Sequence, residues 1–137
     1  MQKKNVTLIK LGGSIITNKD IPMSLRRSVL VDLIRQIARA RQENPSELYV
    51  IGHGQGSFAH MPASKYQTMQ GFVNEESVLG MAIVQDSAAQ LNRHVVYECI
   101  RQEIPAVTFA PSNTLITEGR KPVEAFLQLL EAYLDKG

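Results

Sequence analysis

Along the chain, short runs of branched apolar residues that end on glycine alternate with longer stretches where apolar positions recur every three or four residues. Val6 to Leu11 (VTLIKL) is such a run, closing on Gly12-Gly13, and it predicts a buried first strand. Residues 14 to 24, with Asn18, Asp20 and Pro22, predict mainly loop. From about Leu25 to Gln42 the residues Leu30, Leu33, Ile34 and Ile37 fall at helical spacing with arginines opposite, and Asn44-Pro45-Ser46 stops that helix. Glu47 to Gly52 (ELYVIG) predicts a second strand, again running into glycines. Gln55 to Gly71 reads as a loop or short helix. Glu75 to Glu103 predicts a long helix with Val84, Ala88, Leu91 and Val95 on one face. Ile104 to Phe109 (IPAVTF) predicts a third strand, closed by Pro111. Residues 113 to 121 fit strand or loop, with a turn at Gly119. A last helix, from about Pro122 to Leu134, would bury Val123, Phe126, Leu127, Leu130 and Tyr133.

Strands alternating with long helices imply an α/β fold, a parallel sheet in a three-layer sandwich with helices on both faces. Three parallel strands make a thin sheet whose edge needs covering. The 137 residues fit a single domain that can bury a core without disulfide or metal staples. A net charge of +2, with lysines and arginines spread along the chain, argues against nucleic acid as a partner. The Arg26-Arg27 pair reads as a solvated helix face. Cys99 is the single cysteine, which excludes a disulfide framework and a cysteine metal cluster and suits a reducing compartment. Beside Val95 and Val96 it reads as a helix-packing thiol. No apolar run approaches the roughly 20 residues that span a membrane. The opening Met1-Gln2-Lys3-Lys4 leads straight into a strand with no signal-peptide pattern, so the expected location is cytoplasmic.

The chemistry gathers at two glycine loops, Gly12-Gly13-Ser14 and Gly54-Gln55-Gly56-Ser57, each following a strand. In open α/β sheets, ligands bind at the carboxyl ends of the strands. Glycine lets the backbone come close to an anion, so successive N–H groups can converge on phosphate oxygens. A Gly-Gly after a strand is equally a plain tight turn; two such loops on one sheet edge favour the phosphate reading. Lys10, late in the first strand, could reach an anion above the sheet, and Lys19 could reach the same anion or stay solvated. His53 reads as a packed or backbone-bonded residue. His60 could turn back onto a bound phosphate and donate a hydrogen bond to it, while His94 reads as structural or exposed. The P-loop pattern, a GxSxG elbow, HExxH and paired carboxylates are all missing. Gly54 to Ala59 satisfies GxGxxA but follows the second strand and lacks a suitably placed acid, which makes a dinucleotide fold the weaker alternative.

Ile9-Lys10-Leu11-Gly12-Gly13-Ser14-Ile15-Ile16-Thr17-Asn18-Lys19 resembles the opening of the amino-acid-kinase superfamily, in particular its isopentenyl phosphate kinase branch, which reads KLGGSxITxK. His53-Gly54-Gln55-Gly56-Ser57-Phe58-Ala59-His60, with Pro62-Ala63 and Lys65-Tyr66, is similar to the branch's HGGGSFGHPxAxxY. Leu91-Asn92 and Ile104 to Val107 also look like family positions. Fosfomycin-type kinases share much of the pattern, and a non-catalytic phosphate-binding module is a further alternative. The resemblance implies phosphorylation of a small alkyl monophosphate, isopentenyl phosphate to isopentenyl diphosphate. It implies that Lys10, Gly12, Gly13, Ser14 and Lys19 hold the phosphates of ATP, with Lys10 stabilising charge on the transferred group. Gly54, Gly56 and Ser57 would present backbone donors to the acceptor's phosphate, with Gln55 also in that substrate-binding loop, and His60 would hydrogen-bond and align it. Magnesium would ride on the nucleotide phosphates, with no protein metal cage. Gln55 departs from the family's middle glycine. Family members run to about 250 residues. Residues 1–137 are thus expected to be the N-terminal, acceptor-binding half, lacking the nucleotide-binding half and inactive alone. A homodimer, or association with a missing C-terminal half, is the expected assembly. Met69, Val78 and Met81 are candidate walls of the acceptor pocket.

Overall fold

The computed structural model describes residues 5–137; Met1 to Lys4, the polar lead into the first strand, lie outside them. The chain divides into two units, one running to Ala106 and the other spanning Val107–Gly137. In the first, strand β1 (Val6–Leu11) pairs in parallel with β2 (Leu48–His53), from Val6 opposite Leu48 to Leu11 opposite His53. Between them lie a single helical turn α1 (Gly13–Ile16) and helix α2 (Arg27–Glu43). After β2 come α3 (Gly56–Lys65), a 3-10 turn at Thr68–Gln70 and the long α4 (Ser77–Arg101).

The core follows from the helical periodicity. Leu30, Ile34 and Ile37 of α2 meet Leu91, Val95 and Cys99 of α4 over Leu11, with Ile16, Phe58 and Ile104 completing the cluster. Ile9 and Ile51 pack against it from the sheet. Side chains alternate along a strand, so Val6, Leu8 and Lys10 take the other face of β1, where Leu8 is 72% exposed. The helix ends are set locally. The Asn44 side chain donates to the Ala40 carbonyl (3.0 Å) and ends α2. Ser77 Oγ accepts from the amides of Val73 and Asn74 (2.9 and 3.0 Å) and fastens the turn that leads into α4. At the far end Glu103 takes φ 58, and the Ile104 amide reaches back to the Cys99 carbonyl (2.9 Å).

The second unit is a hairpin followed by a helix: β3 (Leu115–Glu118), β4 (Lys121–Ala125) and α5 (Gln128–Lys136). The strands are antiparallel across Gly119-Arg120, both with positive φ (52° and 67°), the geometry of a tight two-residue hairpin turn.

The α/β class with a parallel sheet stands as the sequence implies. Two element assignments need correction. Residues 104–110 form no strand. Pro105 has no N–H to give a ladder, and the Ala106 amide closes back on the Ile104 carbonyl (2.8 Å) in a three-residue turn. The last helix begins at Gln128, not near Pro122, because the Gly119-Arg120 turn folds residues 121–125 back as a strand. Pro122 is tolerated there because a two-stranded hairpin is all edge. Val123, Phe126, Leu127 and Tyr133, expected on a buried helix face, are exposed.

Candidate functional site

Parallel pairing of β1 and β2 brings their carboxyl ends together, and the Leu11–His53 register sets Gly12 beside Gly54. The Gly54 amide extends the pairing by donating to the Leu11 carbonyl (2.9 Å). The two glycine loops then touch backbone to backbone. A Cβ on Gly13 would stand 2.8 Å from Gly56 Cα, and one on Gly54 would stand 2.8 Å from the Gly13 nitrogen. Neither position has room for a side chain. Gly56 opens α3 at φ +51, and a Cβ there would meet Thr17 Oγ1 and lie 2.7 Å from the Gly13 carbonyl oxygen.

One hydroxyl ties the loops together. Thr17, 0% exposed, donates from Oγ1 to the Gly13 carbonyl (2.7 Å) and accepts from the Ser57 amide (2.9 Å). Ser57 in turn fastens the next segment, its Oγ accepting from the Ser24 amide and its carbonyl from the Met23 amide, both at 3.1 Å. The excursion 18–24, closed at its base by the Thr17–Leu25 bridge, carries Lys19 at an exposed turn. Lys19 is therefore borne by a loop anchored to α3, although 38 residues of sequence separate it from Ser57 (57 − 19).

The sequence-derived candidates fall as follows. Lys10 is exposed on β1, opposite Gly52 in the pairing. Ser14 is exposed on α1. His60 is exposed on α3, four residues after Gly56 and so on the same helix face. Gln55 is exposed at φ −73, ψ −24, a conformation open to any L-residue, so glutamine replaces the family's middle glycine without backbone strain. Of the three backbone donors expected to face an acceptor phosphate, those of Gly54 and Ser57 are already given to Leu11 and Thr17. Those two residues build the loop. His53 is engaged as expected of a packed residue: Nε2 lies 3.0 Å from Asn92 Nδ2 on α4, and Nδ1 lies 3.2 Å from the Gly54 carbonyl. With the Asn92 amide donating, His53 is the Nδ1–H tautomer and holds the Gly54 carbonyl. His94 sits edge-on to Phe58, ring centroids 6.1 Å apart. Cys99 is buried, and desolvation, helped by the neighbouring Glu98, pushes its thiol up to about 11. It is a core thiol. Met69, Val78 and Met81 are exposed on the 3-10 turn and the first turns of α4.

Thr17 and Ser24 were not among the sequence candidates. The available signal was a threonine four residues after a loop glycine, the spacing at which a hydroxyl bonds back to a helical carbonyl. A groove of about 530 Å³ between α2 and α4, lined by Leu25, Arg27, Leu30, His94 and Tyr97 among others, includes neither glycine loop in its walls. Among the described residues no group of three or more His, Cys, Asp or Glu could hold a metal ion, and no helix is long and apolar enough to cross a membrane.

Residues 5–137 match the model of the amino acid kinase family. The isopentenyl phosphate kinase of Methanothermobacter thermautotrophicus is 33% identical over 135 residues, covering 95% of this chain and 49% of that protein. That of Methanocaldococcus jannaschii is 29% identical over 119 residues, covering 81% of this chain and 45% of the relative. A crystallised isopentenyl phosphate kinase superposes with a TM-score of 0.86 at 33% identity, over 97% of this chain and 55% of that one. The chain spans about half the length of the curated relatives it matches. It belongs to the amino acid kinase family.

Proposed function

We propose that this chain carries the acceptor-binding half of an ATP-dependent kinase that converts isopentenyl phosphate to isopentenyl diphosphate. The observation that supports the reading is the backbone contact between the two glycine loops, which sets them side by side at the carboxyl ends of β1 and β2. The names of the relatives select the acceptor. The adenosine moiety is assigned to polypeptide outside these 137 residues, since the match covers about half of each relative.

In this reading Gly12, Gly13 and Ser14 face the donor phosphates, and glycine at Gly13 lets their loop lie directly against the backbone of Gly54 and Gly56. Lys10 and Lys19 neutralise phosphate charge, Lys10 from the end of β1 and Lys19 from the anchored loop. Phosphoryl transfer asks for positioning and charge neutralisation more than covalent help, and exposed lysines beside a rigid backbone cradle supply both. On the acceptor side the start of α3 presents Gly56, with Gln55 at its tip and His60 one turn further on. The helix dipole favours an anion there. His60 would donate to the acceptor phosphate and hold it for attack. Gly54 and Ser57 act by shaping that turn. Magnesium would enter with the nucleotide and neutralise phosphate charge. A homodimer, or pairing with the nucleotide-binding half, would cover the open sheet face at Val6 and Leu8.

The test is thermal unfolding of this chain with isopentenyl phosphate. Ligand at 100 times its dissociation constant stabilises by about 2.7 kcal/mol. His60→Ala should remove most of that shift. An unchanged unfolding temperature at saturating isopentenyl phosphate would overturn the acceptor assignment.

A further inference from the structure

The hydroxyl of Thr17 lies between the two glycine loops and is bonded to both. It donates to Gly13, on the loop after β1, and accepts from Ser57, on the loop after β2. It is fully buried, and it joins the loops beside the Gly54–Leu11 backbone bond and the close packing of the glycine backbones. The bond to Ser57 also uses the amide at the second position of α3, a donor that would otherwise point towards an anion at the helix start. Ser57 passes the constraint on to Met23 and Ser24, the return arm of the loop that bears Lys19. Thr17, Ser57 and Ser24 therefore form one connected brace linking the first loop, the second loop and the lysine loop.

We infer that Thr17 is a positioning residue that fixes the spacing between the donor and acceptor phosphoryl groups. The inference rests on the proposed reading of the two loops as donor and acceptor cradles. Thr17 touches neither phosphate in this account; it sets the gap across which they face each other. At 2.7 and 2.9 Å its oxygen holds the Gly13 carbonyl and the Ser57 amide closer than a carbon atom could. Carbon contacts settle near 3.5–4.0 Å. Thr17→Val, equal in shape but with a methyl in place of the hydroxyl, should spread the loops by roughly half an ångström or more. A misplacement on the order of 1 Å can cost about 100-fold in a reaction that depends on alignment. Thr17→Ser keeps the oxygen and both bonds.

The experiment compares two ligands on the intact chain and its variants. Isopentenyl phosphate alone reports the acceptor cradle. Isopentenyl tetraphosphate, a single molecule carrying the acceptor phosphate and three donor phosphates, reports both cradles and their spacing without requiring an adenine pocket. Positioning by Thr17 predicts that Thr17→Val binds isopentenyl phosphate within about 3-fold of the wild type but loses about 10-fold or more on the tetraphosphate. Thr17→Ser should bind both as the wild type does. Equal losses on the two ligands would overturn the inference, because Thr17 would then merely build the acceptor loop. Undiminished tetraphosphate binding would overturn it as well. If Thr17→Val does not fold, Thr17→Ala, which removes the hydroxyl without adding a methyl against Gly56, is judged by the same two ratios. A wild-type chain that binds neither ligand would refute the functional reading itself, a separate outcome from any difference among the variants.

Discussion

Replacing Gly56 by alanine puts a methyl group where the brace has no space. Gly56 has φ +51, and its Cβ would meet Thr17 Oγ1 and lie 2.7 Å from the Gly13 carbonyl oxygen. The left-handed backbone alone costs an L-residue about 1–2 kcal/mol. The larger effect comes from pushing Thr17 aside. Its two hydrogen bonds are lost in a buried setting, and each buried group left unsatisfied costs about 1–3 kcal/mol. Gly56→Ala should therefore destabilise the first unit by about 3–8 kcal/mol, a large share of a stability that for most domains lies at about 5–15 kcal/mol. Gly119→Ala provides the control. Its φ is nearly the same, +52, yet nothing lies within 4 Å of the added atom. It should destabilise the hairpin by only the backbone term, about 1–2 kcal/mol. Denaturant titration followed by hydrogen exchange and mass spectrometry reads each substitution in its own unit, through peptides of α3 and of β3–β4. Equal effects of the two substitutions would refute the reasoning, since backbone strain alone would then explain both.

A Cβ on Gly80 would collide with Tyr66, so Gly80→Ala should cost about 1–3 kcal/mol by overpacking, and Tyr66→Ala in the same chain should relieve part of that cost. A double-mutant cycle by urea unfolding measures this, and strict additivity would contradict it. Burial, and then Glu98, raises the Cys99 thiol from 9.0 to about 11 in the folded chain. The unfolded chain therefore loses this proton first as pH rises, so the associated stability is complete below about 9 and disappears between about 9 and 11. The gap corresponds to roughly 3 kcal/mol, and Cys99→Ser should flatten that limb of the pH–stability curve. In the native chain at pH 8, Cys99 should resist iodoacetamide until the protein unfolds; rapid labelling would show that it is accessible.

The parts of the fold legible in the sequence are those whose apolar period is long or bounded by strong stop signals. Helices α2 and α4 announced themselves through Leu30, Ile34 and Ile37 and through Leu91 and Val95, and β1 and β2 through short runs ending on glycine. Ile104 to Phe109 misled because a β-rich composition does not supply a pairing partner, and Pro105 and the Ala106 turn break the extended run. Residues 121–125 misled because the choice between helix and hairpin lay in two turn residues, Gly119 and Arg120, more than in the apolar spacing after them. At the site, the glycines and the flanking lysines and histidines could be found from spacing. The brace could not be. Thr17 and Ser57 lie 40 positions apart, and their bond exists only because parallel pairing of β1 and β2 brings the two loops together.

The central claim is that the two touching glycine loops hold two different phosphates. Amide chemical shifts of the ¹⁵N-labelled chain test it most directly, with isopentenyl phosphate and inorganic tripolyphosphate titrated separately. The account predicts that isopentenyl phosphate moves the amides from Gln55 to His60 most strongly, and that tripolyphosphate moves those of Gly12 to Ser14. Shifts confined to residues outside both loops, or one identical set of shifts from both ligands, would contradict it.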